Sequence, residues 1–305
     1  MKRRKLLQRS AAFGLVAAFS PARVSETFAT SAPSDNLKRP AAILNPLKPP
    51  AEGSIPVAFL ISEGVVLIDF AGPWEVFRKA MMSTRMDAFR LYTVGETTNP
   101  VRARGGMQII PDFTLENAPA PKVIVIPAQN GASDAMLEWI RKSTETADVT
   151  MSVCTGAFIL AKTGLLAGKS ATTHHDAYVD LALIFPDVHV KRGMRFVEDG
   201  KLASSGGLSS GIDLAFRVVQ RYFGREVPKQ AAYDMEYQGR GWMDPHSNFV
   251  YAHNHALCAV CGMSVDSASG LKSTYKGKTY YFCSGEHKAI FDSAPEKVLA
   301  PSANR

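Results

Sequence analysis

Four short apolar runs limit what this chain can fold into more than any other feature: Ile55 to Ile61, Phe89 to Val94, Val123 to Ile126 and Val149 to Val153. The first is continuous rather than alternating, the pattern of a strand covered on both faces. Helical stretches such as Asp134 to Lys142 and Ala157 to Thr163 alternate with the runs. That order predicts an α/β fold, a mostly parallel sheet with helices on both faces. Functional groups in such sheets gather at the carboxyl ends of the strands.

The amphipathic stretch Gly211 to Phe223 and a further helix through Tyr237 are expected to close this domain, giving it residues 55–238. Gly239-Arg240-Gly241-Trp242 and Asp244-Pro245 signal a linker over 239–255. Residues 33–54 are rich in proline (Pro33, Pro40, Pro46, Pro49, Pro50) and read as an extended tether. Before it, Met1-Lys2-Arg3-Arg4-Lys5 leads into a short apolar segment, Ala11 to Phe19. A basic start and an apolar segment well under the roughly 20 residues of a membrane span read as an export signal over 1–32. The paired Arg3-Arg4 suggests the twin-arginine route to the periplasm, with an ordinary secretory signal or a tethered leader as alternatives.

The leader also accounts for most of the chain's charge. Six basic residues against Glu26 carry five of its formal +7, so the chain beyond residue 32 is near +2. A nearly neutral protein gives no electrostatic case for nucleic acid as a partner.

Four cysteines divide into three and one. Cys258 and Cys261 form a C-x-x-C pair, and Cys283 precedes His287 by four residues. Two short-spaced pairs across a turn-rich segment suit a tetrahedral metal site, with zinc or Cu(I) both compatible with sulfur ligands. A Cys258 to Cys261 disulfide is the alternative, although it leaves His287 without a role. His253 and His255 are further candidate ligands, or solvated linker residues.

Cys154 remains, at the end of the Val149 to Val153 run and before Thr155-Gly156 and a helix. A side chain on such a turn stands at a helix N-terminus, where peptide dipoles favour a thiolate. The site suits a nucleophile; an inert buried thiol is the alternative. Asp69, which interrupts an apolar run before an expected helix start at Gly72-Pro73, is a candidate proton partner or a helix cap. His174 is a pocket residue, a general base or a locally satisfied strand-end histidine, and Asp213 a first-turn acid.

Leu67 to Phe77, Ser152 to Gly156, Gly164 to His174 and Gly206 to Asp213 together resemble the ThiJ/PfpI superfamily, most nearly its isonitrile hydratase branch. The resemblance spans about Ile55 to Tyr237. It implies a flavodoxin-like sheet of the class I glutamine amidotransferase type, a small-molecule substrate and a homodimer. It also implies Cys154 as nucleophile, Asp69 as its acid/base partner and Thr155 as an orienting group. The activity implied is a thiol-dependent hydratase or lyase, with a non-enzymatic thiol or metal sensor as the competing class. Pro127-Ala128-Gln129-Asn130-Gly131 departs from the usual Pro-Gly-Gly and is expected to alter an anion-binding turn. His175 stands where an aromatic residue is common, and Thr155 speaks against the peptidase branch. Residues 256–299 resemble the YHS domain through Cys258 to Met263, Tyr280 to Ser284, Phe291 and Pro295, with His287 where many members carry a further Cys.

Overall fold

A computed structural model describes residues 43–84, 87–248, 251, 255–267 and 270–299. The expected export signal and residues 33–42 of the tether lie outside these residues, as does His253.

The first half of the sheet domain contains β1 (Ile55–Leu60), α1 (Leu67–Met82), β2 (Phe89–Gly95), the hairpin β3 (Val101–Arg102) and β4 (Gln108–Ile109), β5 (Phe113–Thr114) and β6 (Val123–Ile126). It continues with α2 (Asp134–Thr146), β7 (Val149–Val153), α3 (Gly156–Lys162), β8 (Ser170–Ala171), a 3-10 turn (His175–Ala177) and α4 (Tyr178–Ile184). Then come β9 (His189–Val190), β10 (Phe196–Asp199), β11 (Leu202–Ser205), α5 (Ser209–Phe223) and α6 (Glu226–Asp234). The seven-stranded sheet runs β10-β11-β7-β6-β1-β2-β5, parallel except for the β10–β11 edge hairpin. The α/β expectation is met.

All four expected strands lie in this sheet, and β6 and β7 are buried along their whole lengths. Two apolar clusters, one on each face, explain why central strands need no polar side. One joins Phe59, Phe77 and Phe89 to α5 and α6; the other joins Tyr92, Ile124 and Ile126 to α2 and α3. Phe77 is fully buried and packs edge-on to Phe59 at 6.4 Å and against Phe89 at 5.0 Å. Truncating it to Ala would cost about 3–5 kcal/mol.

Four local expectations are corrected. Helix α1 begins at Leu67, not at Gly72-Pro73, so Asp69 sits in its first turn and Pro73 inside it. Pro73 has no N–H to offer the carbonyl four residues back, that of Asp69. The proline-rich tether is docked at its end: Arg217 Nη2 donates to Leu44 O at 2.9 Å, Arg221 Nε to Asn45 O at 2.8 Å, and Leu47 N to Arg221 O. The expected linker after 238 is likewise anchored at its start. Trp242 is buried against Phe216, and its N–H donates to Asp213 Oδ1 at 2.9 Å. Asp213 is therefore no first-turn acid but a fully buried partner of Arg195, whose Nε lies 2.5 Å away.

The C-terminal module contains β12 (His255–Leu257), β13 (Ser264–Asp266), β14 (Leu271–Tyr275), β15 (Lys278–Phe282), α7 (Gly285–Ser293) and α8 (Pro295–Leu299). Its core is small: Cys258, Val265, Phe282 and Phe291 are buried. A core of that size stabilises little by itself, and small modules commonly need a metal or disulfides.

Candidate functional site

Cys154 follows β7 directly, with φ +57°, a left-handed conformation that costs a non-glycine residue of order 1–3 kcal/mol. The surrounding backbone holds it there. Its N–H donates to Gly206 O at 3.1 Å, and its carbonyl accepts from Thr173 Oγ1 at 2.9 Å. Gly156, two residues on, lies so close to the Ile126 carbonyl that any Cβ would collide with it. The elbow thus combines a cysteine in a strained conformation with a glycine that no larger residue can replace without a shift.

The backbone N–H groups of Thr155 and Leu208 and the Thr155 side chain lie near the Cys154 sulfur and favour its ionised form. Leu208, at φ +46° before α5, is a second strained turn facing the first. The expected thiolate, however, is not the resting form. Burial raises the thiol most, the Asp69 charge raises it further, and these outweigh the donors, leaving it at about 11. A three-donor cradle at a seven-residue helix does not offset loss of water.

Asp69 is fully buried, and its carboxyl is pushed up to about 6, first by that burial. The Ala128 N–H, which donates to Oδ2 at 3.2 Å, the Arg104 charge and the Cys154 thiol pull the other way. Oδ1 is buried with no hydrogen-bond partner. At neutral pH the pair is thus a carboxylate beside a thiol. The capping role for Asp69 does not appear, because α1 has no side-chain cap at its N-cap residue and the carboxylate reaches across to Ala128.

The unusual turn after β6 has its polar groups committed. Gln129 Oε1 accepts from Ser62 N–H at 2.5 Å, Gln129 Nε2 donates to Leu60 O, Asn130 N to Glu63 O, and Ala128 O accepts from Val66 N. The turn braces the β1–α1 loop and holds Asp69. Sequence reasoning missed this role of Ala128, as it missed Leu208, Thr173 and Arg104; such roles arise from backbone groups and from contacts distant in sequence. His174 packs on Gly207, whose missing Cβ makes room for the ring, and lines a cavity of about 190 Å³ beside Leu208.

The remaining cysteines cluster in the C-terminal module with His287, all four ligand atoms lying within 4.8 Å of one another. Cys283 Sγ is 3.0 Å from His287 Nδ1, Cys258 Sγ 3.6 Å from it, and Cys261 Sγ 3.6 Å from Cys283 Sγ. Bonds of about 2.3 Å to sulfur and about 2.0 Å to nitrogen would set tetrahedral ligands about 3.5–3.8 Å apart. The donor set fits a metal ion. All four cysteines are free thiols, so the Cys258 to Cys261 disulfide is not formed. Burial would raise Cys258, but N–H groups of Cys261, Cys283 and Val260 outweigh it and bring the thiol to about 6. Cys283 is pushed up, by desolvation and then by the neighbouring sulfurs. One thiolate discourages the next until a cation compensates them.

A parallel sheet whose central strand ends in a strained cysteine, opposed by a buried acid from the first helix, defines an α/β protein of the cysteine-elbow class. Residues 56–221 match the DJ-1/PfpI family, and the chain belongs to it. Residues 259–301 match the YHS domain. The isonitrile hydratase of Pseudomonas putida is 32% identical over 189 residues, 60% of this chain and 79% of that protein. The HTH-type transcriptional regulator GbdR of Pseudomonas aeruginosa is 26% identical over 56% of this chain, which spans about half (47%) of the regulator's length. A THiJ/PfpI family protein from Pseudomonas syringae superposes with TM-score 0.55 at 24% identity, covering 61% of this chain and 76% of that one, a likeness of fold.

Proposed function

We propose that this protein is a thiol-dependent hydratase or related lyase acting on a small molecule, with Cys154 as nucleophile, Asp69 as acid/base and Thr155 as orienting group. The observation that carries this is the Asp69 carboxylate: buried, near its titration point at about 6, beside the elbow thiol and with one oxygen unpartnered. A thiol near 11 attacks only if a base takes its proton as the bond forms, and Asp69 is that base.

The likeness to an isonitrile hydratase directs the choice of substrate to isonitriles. Sulfur bonds to the terminal isonitrile carbon while the thiol proton passes through Asp69 to that carbon, giving a thioimidate. Water then adds, the carbon–sulfur bond breaks, the proton returns to sulfur and an N-substituted formamide leaves. The Thr155 and Leu208 N–H groups, which favour the ionised sulfur, would steady the leaving thiolate. The test is incubation of the purified protein with isonitriles, following formamide. Turnover in the wild type and none in Cys154→Ala supports the proposal; no turnover, or equal turnover in both, rejects it.

The C-terminal module is proposed to hold zinc or copper through Cys258, Cys261, Cys283 and His287, a closed four-ligand set of the structural kind, supported by the fit of these atoms and by the YHS match. Such an ion would draw β12–β15 and α7 together. Metal content of the purified protein, counted beside free thiols, tests this.

A second function, a thiol or metal sensor, is favoured by the regulators that share the elbow domain. Cys154 reacting no faster with peroxide than an ordinary thiol, in a protein that holds no metal, would reject it. Export by the twin-arginine route is proposed from Arg3-Arg4 and the apolar stretch after them; fractionation of cells carrying Arg3→Lys/Arg4→Lys tests it. A homodimer is proposed from family resemblance, with sedimentation as its test.

A further inference from the structure

Beside the elbow, at the Gly206–Leu208 turn, His174, His175 and Asp176 bring one ligand atom each to within 4.8 Å of one another. Asp176 Oδ1 lies 3.1 Å from His175 Nε2, and its Oδ2 lies 3.6 Å from His174 Nδ1. Metal–ligand bonds of about 2.0–2.2 Å place neighbouring ligands about 2.8–3.6 Å apart at right or tetrahedral angles, so each histidine lies at ligand spacing from one oxygen of the carboxylate. We propose that His174, His175 and Asp176 form a second cation site, separate from the cysteine cluster, that takes a borderline divalent transition-metal ion.

Two imidazoles and a carboxylate are a donor set for zinc, Ni2+ or Cu2+ rather than for a thiophilic Cu(I) ion. His174 Nδ1 accepts from the Asp176 N–H at a long 3.3 Å, so this nitrogen carries the lone pair, and a metal there would displace one weak hydrogen bond. Both rings are set in place beforehand. The His174 ring lies against Gly207, which has no side chain to exclude it. The His175 ring is sandwiched, 4.2 Å from His174 and stacked 4.4 Å from Tyr251. Pre-set ligands lose little conformational freedom on binding. Both histidines line the cavity of about 190 Å³ together with Arg195 and Tyr251. Two of the three proposed ligands, His174 and His175, thus line that cavity, and a three-ligand set leaves a coordination position for water or a small ligand, which the closed cysteine cluster does not.

The test uses the full chain, loaded with excess Co2+ and freed of unbound ion, with ions counted by mass spectrometry and spectra recorded. His175→Phe keeps a ring between His174 and Tyr251 and removes the ligand; Asp176→Asn removes the carboxylate. Each variant is expected to hold one ion fewer per chain than the wild type. The ion lost should carry only weak d–d absorption, without a thiolate charge-transfer band. An unchanged ion count in both variants, or loss of the charge-transfer band instead, overturns the proposal. Neither outcome depends on isonitrile turnover.

Discussion

The two sets of thiols in this chain sit in opposite physical settings. Cys154 is buried on a strained turn, alone, beside an acid, and is held protonated at about 11. Cys258 lies in a small module among other ligands, and backbone N–H groups bring it to about 6. Both have N–H donors, so donors alone do not decide ionisation. At the elbow, water is excluded and the neighbouring charge is negative, and desolvation wins. In the module three more ligand atoms crowd within 4.8 Å, so the charge on one thiol is set by a shared site. The first environment suits a reaction in which charge appears only transiently; the second suits a resident cation.

Swapping cysteines separates the two. Cys154→Ala should lower isonitrile turnover by about 10⁴-fold or more while leaving the metal content unchanged. Cys283→Ser should do the reverse: metal affinity falls on the order of 10²–10³-fold, measured by competition with a chromophoric chelator, and turnover stays within about twofold. If Cys283→Ser removed turnover, the two regions would be one functional unit, and the contrast would fail.

The sheet was readable from sequence because β1, β6 and β7 are buried on both faces, and that leaves an apolar run in any chain. The β10–β11 hairpin was not, since Phe196–Asp199 and Leu202–Ser205 carry glutamate, aspartate and serine at a sheet edge. The start of α1 was misplaced because Gly72-Pro73 resembles a helix beginning, whereas the helix tolerates Pro73 in its interior. Cys154, Asp69 and the C-x-x-C cluster were legible as residue types at telling positions. Their electrostatics were not: burial turned an expected thiolate into a thiol, and only the folded chain places Ala128 against Asp69.

Asp69 provides a smaller and sharper test, because the same burial that tunes it also destabilises the fold. Its carboxyl moves from 3.8 to about 6 on folding, so the native state binds the proton more tightly than the unfolded chain. Stability from this group is therefore full below pH 4 and is lost as pH rises towards 6. Two pH units correspond to about 3 kcal/mol, so Asp69→Asn should be more stable than the wild type at pH 7 by up to that amount, and level with it near pH 4, by denaturant unfolding. The variant should also lose turnover by about 10²–10⁴-fold. In the wild type, kcat/KM should fall about tenfold per pH unit below 6, as the base becomes protonated. The smallest effect is the most discriminating: a limb that stays near 6 in Asp69→Asn would mean that another group takes the proton, and the buried acid would no longer be what sets the elbow apart from the metal cluster.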